Sequence, residues 1–422
     1  MTASANDTTS DPASNPDGNV LRIPDFRLFL AGRFAGTLGV QIQSVAVGWQ
    51  VYDMTRSPMA LGFVGLAQFL PMFLLMLPAG DLADRIDRRL IVAASYFLQA
   101  LAAGLFVLFT PSGQAAVWPF YLVLVIFGTA RAFAGPALRA FVPLLVSPAQ
   151  LPRAIALSSS SFQVAVIAGP ALGGLIYILG AAAAYAACLV LFLAVAAAFI
   201  AIRTRHRREP ADPARSAFRR LTAGIAYIRN KPIVLGAISL DLFAVLLGGA
   251  TALLPVYARD ILHAGPEGLG LLRSAPAIGA MLVNVLLILL PLERRTGLVM
   301  FACVGIFGLA TIVFGLSESF ALSLAALLVM GGSDMVSVYV RSTLIPLATP
   351  PEMLGRVSAV DLLFISASNE LGEFESGLTA GWFGTVPAVV IGGLGTIGIV
   401  GLWMWLFPDL RKVDRLSDVK PG

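Results

Sequence analysis

Long apolar runs separated by short polar segments make up almost all of this 422-residue chain. Twelve of the runs reach the ~20 residues that a helix needs to cross the hydrocarbon core of a bilayer. They begin near Phe26, Pro58, Leu90, Trp118, Ala154, Ala181, Ile233, Leu269, Leu298, Phe320, Asp361 and Val386. Because backbone polar groups in lipid must be hydrogen-bonded within their own segment, such runs predict helices and not barrel strands. The pattern predicts an all-α polytopic membrane protein with twelve transmembrane helices.

The composition agrees with a membrane protein, since 58% of the residues are hydrophobic, 13% are charged and the mean hydropathy is +0.85. Soluble domains carry about a quarter charged residues. Most of the 29 Lys and Arg residues fall in connections that an even number of helices places on one side, whereas the opposite connections hold Arg56 and Arg259. By the positive-inside tendency, both termini are expected in the cytoplasm and the protein in the cell membrane. The basic excess thus describes orientation and not a nucleic-acid partner.

The polar segments predict how the chain is divided. Residues 1–20 are rich in Ser, Asp, Asn and Pro and predict a disordered arm. Residues 204–231 hold a cluster of basic residues and predict a cytoplasmic linker with an amphipathic piece at the inner leaflet. This linker separates six-helix halves at 21–203 and 232–408, and residues 409–422 form a cytoplasmic tail.

The two halves are related in sequence, because the region of the fourth predicted helix matches that of the tenth after a shift of 203 positions. The identical pairs are Gly128 and Gly331, Pro143 and Pro346, Leu144 and Leu347, Pro148 and Pro351, Leu151 and Leu354, Arg153 and Arg356, and Ala156 and Ala359. Two prolines and an arginine in fixed register argue against coincidence. Six-helix repeats related by an axis along the membrane normal are a transporter architecture with its substrate site between the repeats.

A charged decapeptide, GDLADRIDRR, follows the second apolar run and predicts a tightly turned loop. It resembles the loop between helices two and three of the major facilitator superfamily, whose pattern is Gly-x-Leu-Ala-Asp-Arg-x-Gly-Arg-Arg/Lys. The matching residues are Gly80, Asp84, Arg85, Arg88 and Arg89. The sequence departs from the pattern at Asp87, where the family usually has Gly. The resemblance implies a twelve-helix transporter that works by alternating access.

The same resemblance implies a gating role for Asp84. In the family, this Asp lies beside the N-terminus of helix eleven in the outward-open state, which here corresponds to Val357–Val360. A helix N-terminus favours an anion through its dipole. Breaking this contact would open the cytoplasmic side.

The fifth predicted helix contains the residues Gly169, Pro170, Gly173 and Gly174. Gly169 and Gly173 lie one turn apart, which lets a neighbouring backbone approach closely, and Pro170 weakens one hydrogen bond of the helix. Simple small-residue packing explains this pattern as well. The sequence also resembles the antiporter motif of proton-coupled exporters in the superfamily. Together with 50–62 and 129–146, it resembles the branch that contains siderophore and drug exporters.

Ionisable residues inside membrane helices are functional candidates by default, because they are costly to bury. Glu370 and Glu373 lie near mid-depth of the eleventh helix, three residues apart on one face. Two carboxylates so close in a low dielectric do not easily both ionise, which is the condition that a proton carrier needs. The alternative is a pair of acids neutralised by a nearby Arg, which would lock the halves together. Asp241 in the seventh helix is a second candidate for contact with protons or substrate.

Four further polar residues are candidates for the cavity. Arg131 and Asp334 coincide under the repeat shift and are expected at equal depth on opposite sides of the cavity. The resemblance makes Arg131 the embedded Arg of helix four that is implicated in proton transfer, whereas a purely structural ion pair is the alternative. Arg341 is a second possible partner for Asp334. Gln43 and Gln50 share a face of the first helix and offer hydrogen bonds either to a substrate or to a neighbouring helix.

No enzyme chemistry emerges from the remaining residues. Cys188 and Cys303 occupy separate apolar runs and are expected to be buried thiols, and His206 and His263 are too far apart in sequence to argue a metal site. The sequence has no phosphate-binding Gly-x-x-x-x-Gly-Lys-Ser/Thr loop, so ATP is not expected to drive it, and no cofactor is expected. The prediction is a monomeric proton-coupled exporter of a small organic molecule in the lipid bilayer. An uptake symporter and a non-transporting sensor or assembly partner are the alternatives.

Overall fold

The computed structural model describes residues 19–110, 116–204 and 217–419. Within these ranges the chain forms twelve long helices and no β-strand. They are α1 (Pro24–Thr55), α2 (Pro58–Arg85), α3 (Arg88–Phe109), α4 (Trp118–Arg139), α5 (Leu151–Tyr177), α6 (Ala181–Ala201), α7 (Pro232–Leu247), α8 (Gly265–Leu289), α9 (Thr296–Leu316), α10 (Phe320–Ala348), α11 (Pro351–Phe383) and α12 (Thr385–Leu406). The all-α polytopic class predicted from the sequence is confirmed.

Prolines and special backbone conformations set several helix boundaries. Proline lies in the first turn of α1, α2, α7 and α11, where its fixed φ fits a helix and its missing N–H costs nothing. Arg56 ends α1 in the left-handed conformation with φ of 50°. Gly384 alone separates α11 from α12 and has φ of 92°, which a residue with a side chain rarely adopts. These short connections make consecutive helices antiparallel.

Ten of the helices in the described ranges are long and apolar enough to cross a membrane. The span that begins with α7 continues through short 3₁₀ and π turns as far as Ile261. The other two long helices are α1 and α11, with 32 and 33 residues. Both carry more polar residues, including Gln43 in α1 and Glu370 in α11, and both lie in the centre of the bundle against helices of both halves.

Corresponding glycines support the internal repeat. A Cβ atom added at Gly128 in α4 would collide with the carbonyl oxygen of Gln68 in α2. One added at Gly331 in α10 would collide with that of Pro276 in α8. Residues that coincide in the sequence repeat therefore make the same kind of close helix contact in both halves. We call α1–α6 the N-half and α7–α12 the C-half.

In each half, the segment that follows the last helix is hydrogen-bonded to the start of an earlier helix. Thr204, just after α6, donates hydrogen bonds from its backbone N–H and its hydroxyl to Asp25 at the start of α1, at 2.8 and 2.6 Å. In the C-half, the N–H of Thr296 at the start of α9 donates to the carbonyl of Asp414, which follows α12, at 3.1 Å. We call the end of the bundle at which α1 begins and α12 ends the terminal end, and the opposite one the distal end.

The charged decapeptide is mostly helical, so the prediction of a tightly turned loop is wrong for its first part. Helix α2 continues to Arg85, and only Ile86 and Asp87 separate it from α3. Asp87 accepts a hydrogen bond from the N–H of Arg89 at 3.0 Å and so caps α3. The Asp that replaces the usual Gly of the family pattern thus has a structural use here.

The polar linker contains the expected amphipathic helix, at Ala217–Arg229. Its apolar residues Ile228 and Leu221 contact a cluster that includes Val357 and Val360 of α11. The Tyr227 hydroxyl donates to the carbonyl of Ala348 at 3.0 Å. Part of the apolar face of this helix therefore packs against protein, whereas the sequence predicts that the helix lies at the inner leaflet. Residues 1–18, 111–115, 205–216 (with His206) and 420–422 lie outside the described ranges, and the predicted domain boundaries stay predictions.

Candidate functional site

A polar pocket of about 130 Å³ lies between the two halves, near mid-depth of the bundle. Helices α1, α2 and α4 of the N-half contribute to it, and α8 and α11 of the C-half close it from the other side. Its polar lining residues are Gln41, Gln43, Ser44, Gln68, Arg131, Arg273, Glu370 and Glu373. The two carboxylates predicted from the eleventh helix thus lie in one pocket with Arg131 and Gln43.

One ion pair in this pocket joins α4 to α11. The Nη1 atom of Arg131 lies 3.5 Å from Oε1 of Glu370 and 3.4 Å from Oε1 of Gln68 in α2. The side chains of Arg131 and Glu370 retain 33% and 15% exposure, so water in the pocket still reaches both. Because the partners come from opposite halves, any movement that separates the halves here must break or rearrange this pair.

A second ion pair joins α8 to α11. The Nη2 atom of Arg273 lies 3.9 Å from Oε1 of Glu373. Gly65 of α2 leaves room for this carboxylate, because a Cβ there would lie 3.0 Å from the Cβ of Glu373. Arg273 was not among the residues predicted from the sequence. Its signal was present, since it is a charged residue inside the eighth apolar run.

The two pairs give the pocket two cations and two anions. Glu370 and Glu373 are neighbours on α11, and each has its own arginine, Arg131 for one and Arg273 for the other. Gln43 is 1% exposed, and its side-chain amide has no hydrogen-bond partner among the described residues. Addition of a proton to either carboxylate would remove one anion and leave its arginine without a counter-charge. The geometry therefore fits both alternatives: a proton carrier, and ion pairs that only hold the two halves together.

The predicted partnership of Arg131 with Asp334 is not found. Arg131 binds Glu370, and Asp334 lies with Asp241 along a separate small cavity between helices of the C-half. Arg341 forms ion pairs with Asp241 at 2.5 Å and Asp361 at 3.5 Å, so it is not dedicated to Asp334 either. The repeat shift places residues at equal depth but does not determine which way each helix is rotated, and the rotation decides the partner.

The two candidate glutamines of α1, Gln43 and Gln50, lie in different surroundings. Gln43 lines the pocket, whereas the Nε2 atom of Gln50 donates to Oγ1 of Thr110 at the end of α3, at 3.4 Å. Gln50 is thereby engaged within the N-half, near the distal end. Of the two candidates, only Gln43 is placed to meet a molecule in the pocket.

The glycine motif of α5 lies at the contacts of α5 with α1 and α8. Cβ atoms at Gly169 and Gly173 would meet Gln41 and Ile42 of α1 at 2.5 and 3.0 Å. A Cβ at Gly174 would collide with the carbonyl of Pro266 in α8. In return, a Cβ at Gly270 of α8 would collide with the carbonyl of Pro170. The close backbone approach expected from the motif joins the two halves toward the distal end.

The decapeptide contributes to the terminal end. Gly80 lines a larger cavity there. Arg88 donates to the carbonyl of Ala140 at 2.8 Å, and Arg89 donates to that of Ile202, just after α6, at 2.6 Å. The side chains of Asp84 and Arg85 lie outside the described part of the structure. The contact of Asp84 with the start of α11 therefore stays a prediction.

These features define the class of the protein: two bundles of six helices, with a charged pocket between them, form a transporter of the major facilitator type. Solved structures agree on this fold. A peptide transporter in complex with sulfate superposes with a TM-score of 0.74 over 96% of this chain and 98% of its own, at 10% identity. A bacterial homologue of the human lysosomal transporter Spinster, inward-facing and occupied, gives 0.70 over 93% and 96%, at 13% identity.

The family follows from the sequence. The profile of the family described as transmembrane secretion effector matches residues 19–420, and the chain belongs to this family. Macrolide efflux protein A of Streptococcus pyogenes is 26% identical over 404 residues, which are 92% of this chain and 97% of the relative. The enterobactin exporter EntS of Citrobacter koseri is 25% identical over 408 residues, 94% and 95% of the two chains. These comparisons confirm a transporter of the efflux branch and not an enzyme.

Proposed function

We propose that the protein is a proton-coupled exporter of a small organic molecule, working by alternating access. One observation carries the proposal: two ion pairs, Arg131–Glu370 and Arg273–Glu373, lie side by side in a pocket between the halves. The two sequence relatives described above, a macrolide efflux protein and an enterobactin exporter, are both export proteins by name. Because the basic connections lie at the terminal end, we also propose that this end faces the cytoplasm.

The ion pairs supply a mechanism for coupling. A proton that binds a carboxylate oxygen of Glu370 or Glu373 removes the charge that holds the corresponding arginine. Both carboxylates are on α11, and the arginine partner of Glu370 is on the other half. Protonation thus changes the relative stability of the two facing states, which is what a coupling ion must do. Substrate would bind when the cavity is open to the cytoplasm, and protons entering from the other side would return the empty carrier.

The proposal is tested in everted membrane vesicles with an imposed pH gradient, acid inside. Radiolabelled macrolide and enterobactin serve as first probes, because relatives are named for their export. We expect at least one of a wider panel of small molecules to accumulate inside the vesicles, and a protonophore to abolish this. Glu370→Gln and Glu373→Gln should each reduce gradient-driven accumulation at least about tenfold, as loss of an essential proton carrier requires.

Glu375 provides a matched control on the same helix. It lies outside the pocket and accepts a hydrogen bond from Thr379 at 2.7 Å, so Glu375→Gln should transport normally. Gradient-driven loss of a preloaded molecule from the vesicles would instead indicate an uptake symporter. Unchanged flux in both Glu370→Gln and Glu373→Gln would favour ion pairs that only hold the halves together. A lack of gradient-driven flux for every compound would favour a non-transporting sensor or assembly partner.

A further inference from the structure

A second, larger cavity adjoins the charged pocket and extends toward the terminal end. It has a volume of about 730 Å³, within the range of sites that hold a drug-sized molecule. Arg131, Gln41 and Val40 line both spaces, so a molecule in the cavity is in contact with the charged pocket. Helices α1 to α5 form most of its wall, and α11 covers the opposite side.

The charge lining this cavity is one-sided. Arg33, Arg131 and Arg139 contribute to its wall, whereas the described lining residues include no carboxylate. Arg131 has Glu370 as its partner. Neither Arg33 nor Arg139 forms an ion pair with a described carboxylate, and the two lie near enough to repel each other. The Nε atom of Arg33 is buried and has no hydrogen-bond partner in the described part of the chain. Two cations thus face the cavity without a counter-charge among the described side chains.

The rest of the cavity wall is largely apolar and partly aromatic. The guanidinium of Arg33 lies 5.4 Å from the centre of the Phe162 ring, which keeps an aromatic surface beside the charge. Phe69 and Phe73 form a second aromatic surface, with their rings 5.3 Å apart. Aliphatic side chains of α11, including Leu362, lie across from them. A ligand therefore meets two positive charges that no described carboxylate neutralises, with apolar surface around them.

We propose that this cavity binds an amphipathic organic anion, one that carries a carboxylate or similar group on an aromatic or aliphatic body. Arg33 and Arg139 bind the anionic group, and Phe162 and the Phe69–Phe73 pair cover the body. An organic cation of the same size would lie beside the guanidinium groups of Arg33 and Arg139, which have no partner among the described carboxylates, and would be repelled. The inference rests on the proposed function, since it names the substrate class of the transporter's own cavity.

Ligand binding tests the substrate class without requiring transport. The full-length protein is placed in nanodiscs of phosphatidylcholine, so that no anionic lipid competes for the arginines. Binding of carboxyfluorescein, an aromatic anion, and ethidium, an aromatic cation, is followed by fluorescence anisotropy. We expect carboxyfluorescein to bind and ethidium neither to bind comparably nor to displace it. Arg33→Gln and Arg139→Gln should each raise its Kd about tenfold, as loss of one charge-assisted contact implies.

Two further variants test whether the loss of carboxyfluorescein binding is specific to the charge at Arg33. Arg33→Lys preserves the charge and should lose less affinity than Arg33→Gln, and Arg153→Gln, which removes an exposed arginine outside the cavity, should bind normally. Each variant must elute as a monodisperse peak with an unchanged Tm. Stronger binding of ethidium than of carboxyfluorescein, no binding of either dye, or an unaltered Kd in Arg33→Gln would each overturn the proposal.

The binding assay also separates this inference from the proposed function. Carboxyfluorescein binding that depends on Arg33, together with a lack of pH-driven flux in vesicles, would reject proton-coupled export and support the anion site. Gradient-driven flux of cations that is insensitive to Arg33→Gln would do the reverse.

Discussion

Tyr52 near the end of α1 donates a hydrogen bond from its hydroxyl to the carboxylate of Asp260, which lies 208 positions later in the other half. Arg56 adds an ion pair to Asp260 at 3.3 Å, and Arg259 pairs with Asp53 of α1. These five residues form a cluster at the distal end that we call the distal clamp. Since the large cavity extends to the terminal end, the clamp holds the side of the molecule that is closed in this state.

Loss of the distal clamp should shift the protein toward the state that is open at the distal end. We expect Asp260→Asn to weaken the contacts with Tyr52 and Arg56, because the amide carries no charge for the arginine. Spin labels at Ser57→Cys and His263→Cys, in a background with Cys188 and Cys303 replaced by Ala, report on the separation of the two halves there. The distance distribution should gain a longer component in the Asp260→Asn variant.

Glu318 supplies the control for the clamp. It is an exposed carboxylate at the same end of the bundle and has no ion pair among the described residues. Glu318→Gln should leave the distance distribution unchanged. If Asp260→Asn behaves in the same way, the cluster does not hold the distal end closed.

The glycine contacts between α5 and α8 should be sensitive to a single methyl group. Gly174→Ala places a Cβ against the carbonyl of Pro266, with backbone on both sides and no flexible side chain to yield. Overpacking of this kind costs about 1–3 kcal/mol. We expect a Tm lower by a few degrees in a thermal unfolding assay and reduced transport. Gly401→Ala, on α12 where a Cβ meets nothing within 4 Å, should leave both unchanged.

An equal loss of Tm in Gly174→Ala and Gly401→Ala would mean that the contact with Pro266 is not the cause, because Ala by itself favours a helix more than Gly does. In that case the close approach of α5 to α8 would not explain the motif.

The sequence allowed the fold to be predicted because its signals are local. Length and apolarity identify a membrane helix. The matched Gly128 and Gly331 indicate a repeat, and in the structure both glycines lie at close helix contacts. The depth of Glu370 along its helix could be read in the same way. The end of α2 was harder to predict. The charges of Gly80–Arg85 predict exposure to water, but a loop and a helix that extends beyond the membrane are equally exposed, so the charges do not distinguish them.

Ion-pair partners could not be predicted, because they depend on how each helix is rotated. Arg131 was matched with Asp334 by depth, yet α4 turns it toward Glu370. Arg273 supplies the second cation of the pocket, and nothing local to Glu373 indicates it. Side chains on five helices meet in this pocket, and the packing of small residues such as Gly65 determines the angles at which they meet.

The buried cluster around Arg341 should be essential for stability. Arg341 is 5% exposed and binds Asp241, also 5% exposed, together with Asp361. Removal of one partner of a buried ion pair costs about 3–5 kcal/mol, because the remaining charge loses its compensation. We expect Arg341→Gln to lower the Tm strongly and to give little monodisperse protein after extraction in detergent. The double variant Arg341→Gln/Asp241→Asn should recover part of the loss, whereas equal loss in both would exclude charge compensation as the reason.

The pair of Arg273 with Glu373 allows its structural and coupling roles to be separated in a double-mutant cycle. Arg273→Gln leaves the carboxylate without its cation and should lower the Tm. Glu373→Gln in the same background removes the uncompensated charge and should restore stability, with a coupling of about 0.5–3 kcal/mol.

If Glu373 also carries the proton, the stable double variant should still lose the pH dependence of transport. The cycle of Arg273→Gln with Glu375→Gln, whose side chain is outside the pocket, should be additive. Restored stability together with a normal pH profile would make the pair a lock and leave Glu370 as the candidate for coupling.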